Sequence, residues 1–170
     1  VTHHGMVTLV YKHLCSVAPT ELEPMIPAWF LVQITRMNRT VRAHQLFLTA
    51  RMLKASQLLT ESNIPHYHYK GIVLDHLLYG GQLLRSTGDM EILVRKEDIM
   101  RIKELLASEG YQPKLIVHEH QEEVALKRYK DYTFVHAENR HVIEAHWSLT
   151  TNDFGGNFTY CLLYTSDAAD

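Results

Sequence analysis

The chain has few cysteines, no long apolar run and almost no net charge, and each absence excludes a class of protein. Its 170 residues include only two cysteines, Cys15 and Cys161. They are too few for a disulfide framework or a four-cysteine zinc site, so we expect a reducing, cytoplasmic location. The 17 Lys and Arg residues nearly balance the 19 Asp and Glu residues, which excludes bulk nucleic-acid binding through a basic surface. The apolar runs are far shorter than the roughly 18 residues of a membrane span, so we expect no membrane insertion.

The composition that remains is typical of a folded domain. Hydrophobic residues make up 46% of the chain and charged residues 21%, which excludes a disordered or collagen-like protein. Because the chain begins with Val1 rather than Met, we expect an internal fragment. Residues 161–170, CLLYTSDAAD, resemble the translation of a sequencing adaptor; the alternative is an ordinary disordered tail. In either case they carry no functional argument.

The first part of the chain has the apolar spacing of helices. A stretch with two prolines over residues 20–34 predicts one short amphipathic helix. Asn38 is a suitable N-cap for a second, longer helix that runs to Asn63. Residues 66–70 alternate as a strand does, and a helix over residues 71–79, ended by a Gly-Gly pair, follows.

The second part of the chain predicts strands around one further helix. Met90, Ile92 and Val94 alternate with polar residues and predict a strand over residues 89–94. An amphipathic helix follows over residues 96–108, closed by a glycine. Further strands are predicted over residues 115–117, 129–135 and 141–147, the last two as a hairpin.

These elements predict an α+β fold in which a mixed β-sheet is flanked by helices. We expect an N-terminal helical segment over residues 1–62 and a core over residues 63–160. If the adaptor interpretation holds, residues 161–170 are a non-native tail and the natural core continues beyond Tyr160.

The most informative polar residues are Asp89 and Glu91 on the first strand of the second part. Residues two apart on a strand lie on the same face, about 6.5–7 Å apart, so the two carboxylates can converge on one spot. Paired carboxylates repel each other unless a cation lies between them, and Mg²⁺ prefers carboxylate and phosphate oxygens. The alternative is that both acids are ordinary solvent-facing positions of a half-exposed strand.

A second group of residues suits an anion. Gly71 at the start of a helix lets backbone amides approach a negative charge, and the helix N-terminus favours one. Lys70 and Arg85 flank that position in the sequence. The alternative for each is an ordinary surface cation.

The combination of these residues resembles a known family. From Ile64 to Leu149 the chain is similar to the uncharacterised nucleotidyltransferase family of the polymerase-beta superfamily. The resemblance is carried by Lys70-Gly71, Tyr79-Gly80, Arg85, the acids Asp89 and Glu91, and the run VIEAHWSL with Glu144, His146 and Trp147.

The resemblance implies a polymerase-beta-like core that uses metal ions and an NTP. Asp89, Glu91 and a third acid would hold two Mg²⁺ ions, and strand alternation makes Glu144 the candidate third acid, although it could instead be a surface residue. Lys70, Gly71, Arg85 and Ser86 would contact the triphosphate. The implied activity is transfer of a nucleoside monophosphate from an NTP to an unknown hydroxyl acceptor: a small molecule, a protein or an RNA.

Two departures from the superfamily pattern keep a second function open. Ile72 follows Gly71 where the superfamily usually has Gly or Ser, and the first acidic pair is Asp-x-Glu rather than Asp-x-Asp. Weaker phosphate chemistry favours the alternative of a catalytically weak nucleotide-binding or partner-binding module, for example in a toxin–antitoxin pair.

The twelve histidines do not form a zinc motif. His66 and His68 share a strand face and would need His146 as a third ligand, but the spacing matches no known zinc site. We expect these histidines to be structural. We expect the face that carries Tyr67 and Tyr69 to be core, with a base-stacking surface as the alternative.

Overall fold

The computed structural model describes residues 5–17, 25–115 and 119–148. In these ranges the chain forms five α-helices and five β-strands. The helices are α1 (Val7–Cys15), α2 (Ala28–Glu61), α3 (Gly71–Tyr79), α4 (Ile99–Ser108), preceded by a short 3₁₀ helix (Lys96–Asp98), and α5 (Glu119–Arg128). The strands are β1 (His66–His68), β2 (Asp89–Val94), β3 (Tyr111–Pro113), β4 (Asp131–His136) and β5 (Val142–His146). The tail expected at residues 161–170 lies outside the described residues.

The five strands form one mixed sheet in the order β1-β2-β5-β4-β3. β2 and β5 are parallel neighbours, whereas the other pairs are antiparallel. The expected α+β class, a mixed sheet flanked by helices, is therefore confirmed. The parallel register pairs Glu91 directly with Glu144, which determines the geometry of the site described below.

The sheet has one buried face and one more open face, as the alternating sequence predicts. Met90, Ile92 and Val94 of β2 are almost completely buried, and Ile143 and Ala145 of β5 lie on the same face. Buried side chains of α4 complete this core: Ile99, Ile102 and Leu106. The open face carries the acidic residues of β2 and β5 at intermediate exposure.

The structure corrects the prediction of two helices before residue 63. α2 is one continuous helix of 34 residues, and Asn38 lies buried inside it rather than at an N-cap. No Gly or Pro occurs between Ala28 and Glu61, so nothing in the backbone forces a break. The predicted end is confirmed, because Asn63 adopts a left-handed φ of 53° and the Ile64 amide donates to the Leu59 carbonyl at 2.8 Å.

Three further elements differ from the sequence patterns. α1, α5 and the strand at Tyr111–Pro113 were not indicated, and residue 115 of the strand expected over residues 115–117 is not in a strand. Gly110 has a φ of 86°, so the chain turns directly from α4 into β3, which leaves no room for a longer loop. Residues 116 and 117 lie outside the described part.

The chain divides into two compact units, Val1–Arg51 with Lys70–Gly88, and Met52–Tyr69 with Asp89–Asp170. The first contains α1, α3 and the loop after α3. The second contains the sheet, α4 and α5. No helix within the described residues is long and apolar enough to cross a membrane.

Candidate metal centre and nucleotide-binding residues

Two carboxylates lie side by side on the open face of the sheet in the second unit. Glu91 of β2 and Glu144 of β5 are register partners on parallel strands, so their backbones are about 4.8 Å apart. The Glu91 side chain is 10% exposed and that of Glu144 28%. Two acids fixed this closely on rigid strands form a strong attractor for a cation.

His146 completes a group of three metal-ligating side chains. It follows Glu144 by two residues on β5, and its side chain is 3% exposed. Its Nε2 atom lies 3.3 Å from Glu144 Oε2 and 3.9 Å from Glu91 Oε1. The three ligand atoms all lie within 4.8 Å of one another. Carboxylate oxygens and an imidazole nitrogen are both ligands for divalent cations, so this donor set fits a metal ion.

Tyr69 lies against this group and experiences its charge. Its ring meets that of His146 edge-on, with 5.4 Å between ring centroids. Burial raises the pKa of Tyr69 far above its usual range, and negative charges raise it further. The acids responsible are Glu91, Glu144, Asp131 and Asp89. Tyr69 therefore stays a neutral phenol near pH 7 and does not serve as a base there.

A pocket of about 360 Å³ is lined by residues of β4 and of the segments on either side of it. Asp131, the register partner of His146, contributes to its wall. Aromatic side chains supply much of the rest: Tyr129, Tyr132 and Trp147. The Tyr132 hydroxyl is buried without a hydrogen-bond partner in the described part of the chain. The pocket therefore combines apolar walls with a few polar side chains, among them Lys114, Asp131 and Thr133, as small-molecule sites do.

The residues expected to bind phosphate lie in the first unit. α3 begins at Gly71, and the side chain of its N-cap residue, Lys70, makes no capping hydrogen bond to the first turn. Lys70 has φ 54° and ψ −148°, a conformation that strongly favours glycine and strains any other residue. Arg85 and Ser86 are exposed in the loop after α3.

Asp75 organises that loop, a role that sequence reasoning missed. It is 2% exposed on α3, and its carboxylate accepts hydrogen bonds from the backbone amides of Leu83, Leu84 and Arg85 at 2.6–2.8 Å. Charge-assisted bonds of this kind hold a backbone firmly. Asp75 therefore fixes the position of the Arg85 backbone, although the Arg85 side chain is exposed.

Comparison with known proteins assigns a family. A family model described as an uncharacterised nucleotidyltransferase matches residues 1–166. The chain belongs to this nucleotidyltransferase family. No curated protein and no solved structure matches the chain.

Two of the three predicted acids belong to the group of possible metal ligands. Glu91 and Glu144 meet, but the third member of their group is His146. Asp89 lies on the same face, where its register partner is Val142, and it is not part of that group. The sequence contained the signal for His146 in the alternation of β5, which puts residues 144 and 146 on one face. The parallel pairing of β5 with β2 was not readable from it.

Strand β1 presents its histidines and tyrosines on the faces opposite to those expected. His66 and His68 pair with Val94 and Ile92 and so lie on the core face, away from His146. His66 is a hydrogen-bonded histidine, as expected, because its Nε2 bonds with Ser56 Oγ at 2.7 Å. Tyr67, expected in the core, is 40% exposed. The core interpretation of the tyrosine face is therefore wrong, because the register with β2 places the histidines and not the tyrosines on the core face.

Proposed function

We propose that this chain transfers a nucleoside monophosphate from an NTP to a hydroxyl acceptor. The observation that carries the proposal is the side-by-side pair of Glu91 and Glu144, with His146, in a chain that belongs to a nucleotidyltransferase family. In the reaction, the acceptor hydroxyl loses its proton and its oxygen bonds to the α-phosphorus. The bond from that phosphorus to the pyrophosphate oxygen breaks, and pyrophosphate leaves.

The acidic face supplies the cation-binding part of this proposal. Glu91 and Glu144 would hold a divalent cation, for which the family resemblance implies Mg²⁺ and a total of two ions. When bound, such a cation neutralises the charge that develops on the phosphate oxygens. Asp89, on the same face but outside the three-residue group, is our candidate to accept the proton of the acceptor hydroxyl.

The phosphate-binding part of the proposal rests on the first unit. We assign Lys70, Gly71, Arg85 and Ser86 to the triphosphate. Because no side chain caps the start of α3, its backbone amides can bind an anion. The strained backbone of Lys70 supports a functional use of its charged side chain. Ile72 offers no hydroxyl at the next position. Backbone amides and the side chains of Lys70 and Arg85 would therefore bind the phosphates.

Label transfer tests the proposal. The protein is incubated with α-³²P-labelled NTPs and Mg²⁺ or Mn²⁺, alone, with an RNA pool and with a pool of hydroxyl-bearing metabolites. We expect label on an acceptor or on the protein itself, and at least about a 100-fold loss of the rate in Glu144→Gln and Asp89→Asn. The matched control, Glu97→Gln, removes an exposed acid outside the site and keeps the rate.

Two results would overturn the proposal. Transfer that is unchanged in Glu144→Gln would remove the carboxylates from the chemistry. Cation-dependent NTP binding without transfer to any acceptor would favour the nucleotide-binding module instead.

A further inference from the structure

We propose that His146 is a direct metal ligand through Nε2, beside one carboxylate oxygen each from Glu91 and Glu144, and that this site prefers Mn²⁺ to Mg²⁺. The inference deepens the proposed function and rests on it for the use of the metal in catalysis. Metal binding itself can be measured without an NTP.

The distances suit one ion shared by three ligands. Ligand atoms about 2.1 Å from an ion are roughly 3.0 Å apart at right angles and roughly 4.2 Å apart across it. His146 Nε2 is 3.3 Å from the Glu144 oxygen and 3.9 Å from the Glu91 oxygen. Both separations fall within that range, and all three ligand atoms lie within 4.8 Å of one another, so one ion can reach all three once the two carboxylates adjust slightly.

His146 is held where a ligand has to be. Its side chain is 3% exposed, its backbone belongs to the central part of the sheet, and its ring packs edge-on against Tyr69. Glu91 and Glu144 approach the same ring nitrogen from two strands. A histidine that only paired with Glu144 would not require a second carboxylate at its Nε2 atom.

The nitrogen ligand decides the choice of ion. Mg²⁺ prefers oxygen ligands and retains several waters, whereas imidazole nitrogen suits transition metals. Mn²⁺ accepts carboxylate oxygen and imidazole nitrogen together, and it also binds phosphate oxygens. A site with two carboxylates and one imidazole is therefore better matched to Mn²⁺.

Pulsed electron paramagnetic resonance of the Mn²⁺-loaded protein, without NTP, tests the assignment. We expect a nitrogen coupling that changes when the protein is labelled with ¹⁵N-histidine. His146→Gln should abolish that coupling and weaken Mn²⁺ binding by about 10–100-fold, with a smaller effect on Mg²⁺. The matched control is His68→Gln, which replaces another histidine of the sheet on the opposite face and should change neither measurement.

Each outcome decides the inference. Mn²⁺ bound without nitrogen coupling, coupling that survives in His146→Gln, or a wild-type affinity for Mg²⁺ equal to that for Mn²⁺ would overturn it. If His146→Gln does not fold, the ¹⁵N-histidine spectrum of the wild-type protein still tests for an imidazole ligand. Nitrogen coupling without label transfer would uphold the metal ligand and overturn the transferase, whereas transfer without coupling would do the reverse.

Discussion

Among single residues, His68 lies on the core face of the sheet, and neither of its ring nitrogens has a hydrogen-bond partner within the described residues. Burial, and to a smaller extent the charge of the neighbouring His66, lower the pKa of His68 from 6.5 to about 4. The folded state therefore holds a neutral imidazole, because a charged one would lose its hydration without gaining a partner.

The lowered pKa of His68 leads to the prediction that the protein loses stability as the pH falls. Below pH 6.5 the unfolded chain protonates His68 while the folded chain does not, so the free energy of unfolding falls as the pH falls. The fall is about 1.4 kcal/mol per pH unit from this group and ends near pH 4, where the folded state also binds the proton. Urea unfolding of the wild type and His68→Gln between pH 4 and 8 measures it. The difference between the two proteins should be constant above pH 7 and change below 6.5; a parallel course throughout would contradict the prediction.

Some residues of the candidate site could be predicted from the sequence and others could not. Glu91 and Glu144 were found because strand alternation places acids on a solvent-facing surface. His146 as a member of their group depends on the pairing of β2 with β5, a contact between residues more than 50 positions apart. The role of Asp75 could not be predicted, because its partners are backbone amides. Every residue type except proline has a backbone amide, so the sequence pattern does not reveal such a bond.

At the scale of elements, the well-predicted pieces have strong local signals. α3 ends at Gly80 in a left-handed conformation with φ 63°, and the β4–β5 hairpin turns at the expected residues. α2 was split wrongly because Asn38 is a good N-cap residue that packing holds inside a helix instead. α5 was missed because few of its residues are buried, among them Glu122 and Ala125, so it lacks an apolar stripe.

The turn into α3 gives a prediction that separates stability from function. Lys70 adopts φ 54° and ψ −148°, so Lys70→Gly relieves backbone strain and should raise the free energy of unfolding by about 1 kcal/mol. The same change removes the proposed phosphate-binding charge, so label transfer should fall. Urea unfolding and the transfer assay measure the two effects.

Arg140 provides the control for this turn. It is exposed in the β4–β5 hairpin with φ 59°, outside every proposed binding group. Arg140→Gly should therefore stabilise the protein to a similar extent and leave transfer unchanged. A Lys70→Gly protein that is more stable and fully active would show that the strained lysine serves no function in transfer.

At the scale of the whole molecule, near-neutrality conceals a local concentration of negative charge. The chain carries almost equal numbers of acids and bases, yet four acids act together on Tyr69 from one face of the sheet. Such a face destabilises the metal-free fold by mutual repulsion and stabilises it once a cation binds. We therefore expect the balance between these effects to make the stability of the whole chain depend on divalent cations.

Glu144→Gln should reverse the sign of this balance. The amide still accepts the hydrogen bond that His146 Nε2 donates to Glu144 at 3.3 Å, but the repulsion with Glu91 is gone. In EDTA the variant should therefore be more stable than the wild type, by about 0.5 kcal/mol. With Mn²⁺ at 100 times its dissociation constant the wild type gains about 2.7 kcal/mol, whereas the variant gains much less and becomes the less stable protein.

Thermal unfolding in EDTA and across a Mn²⁺ titration should show the two stabilities crossing, while Glu97→Gln follows the wild type throughout. Curves that never cross would mean that Glu91 and Glu144 do not share a cation.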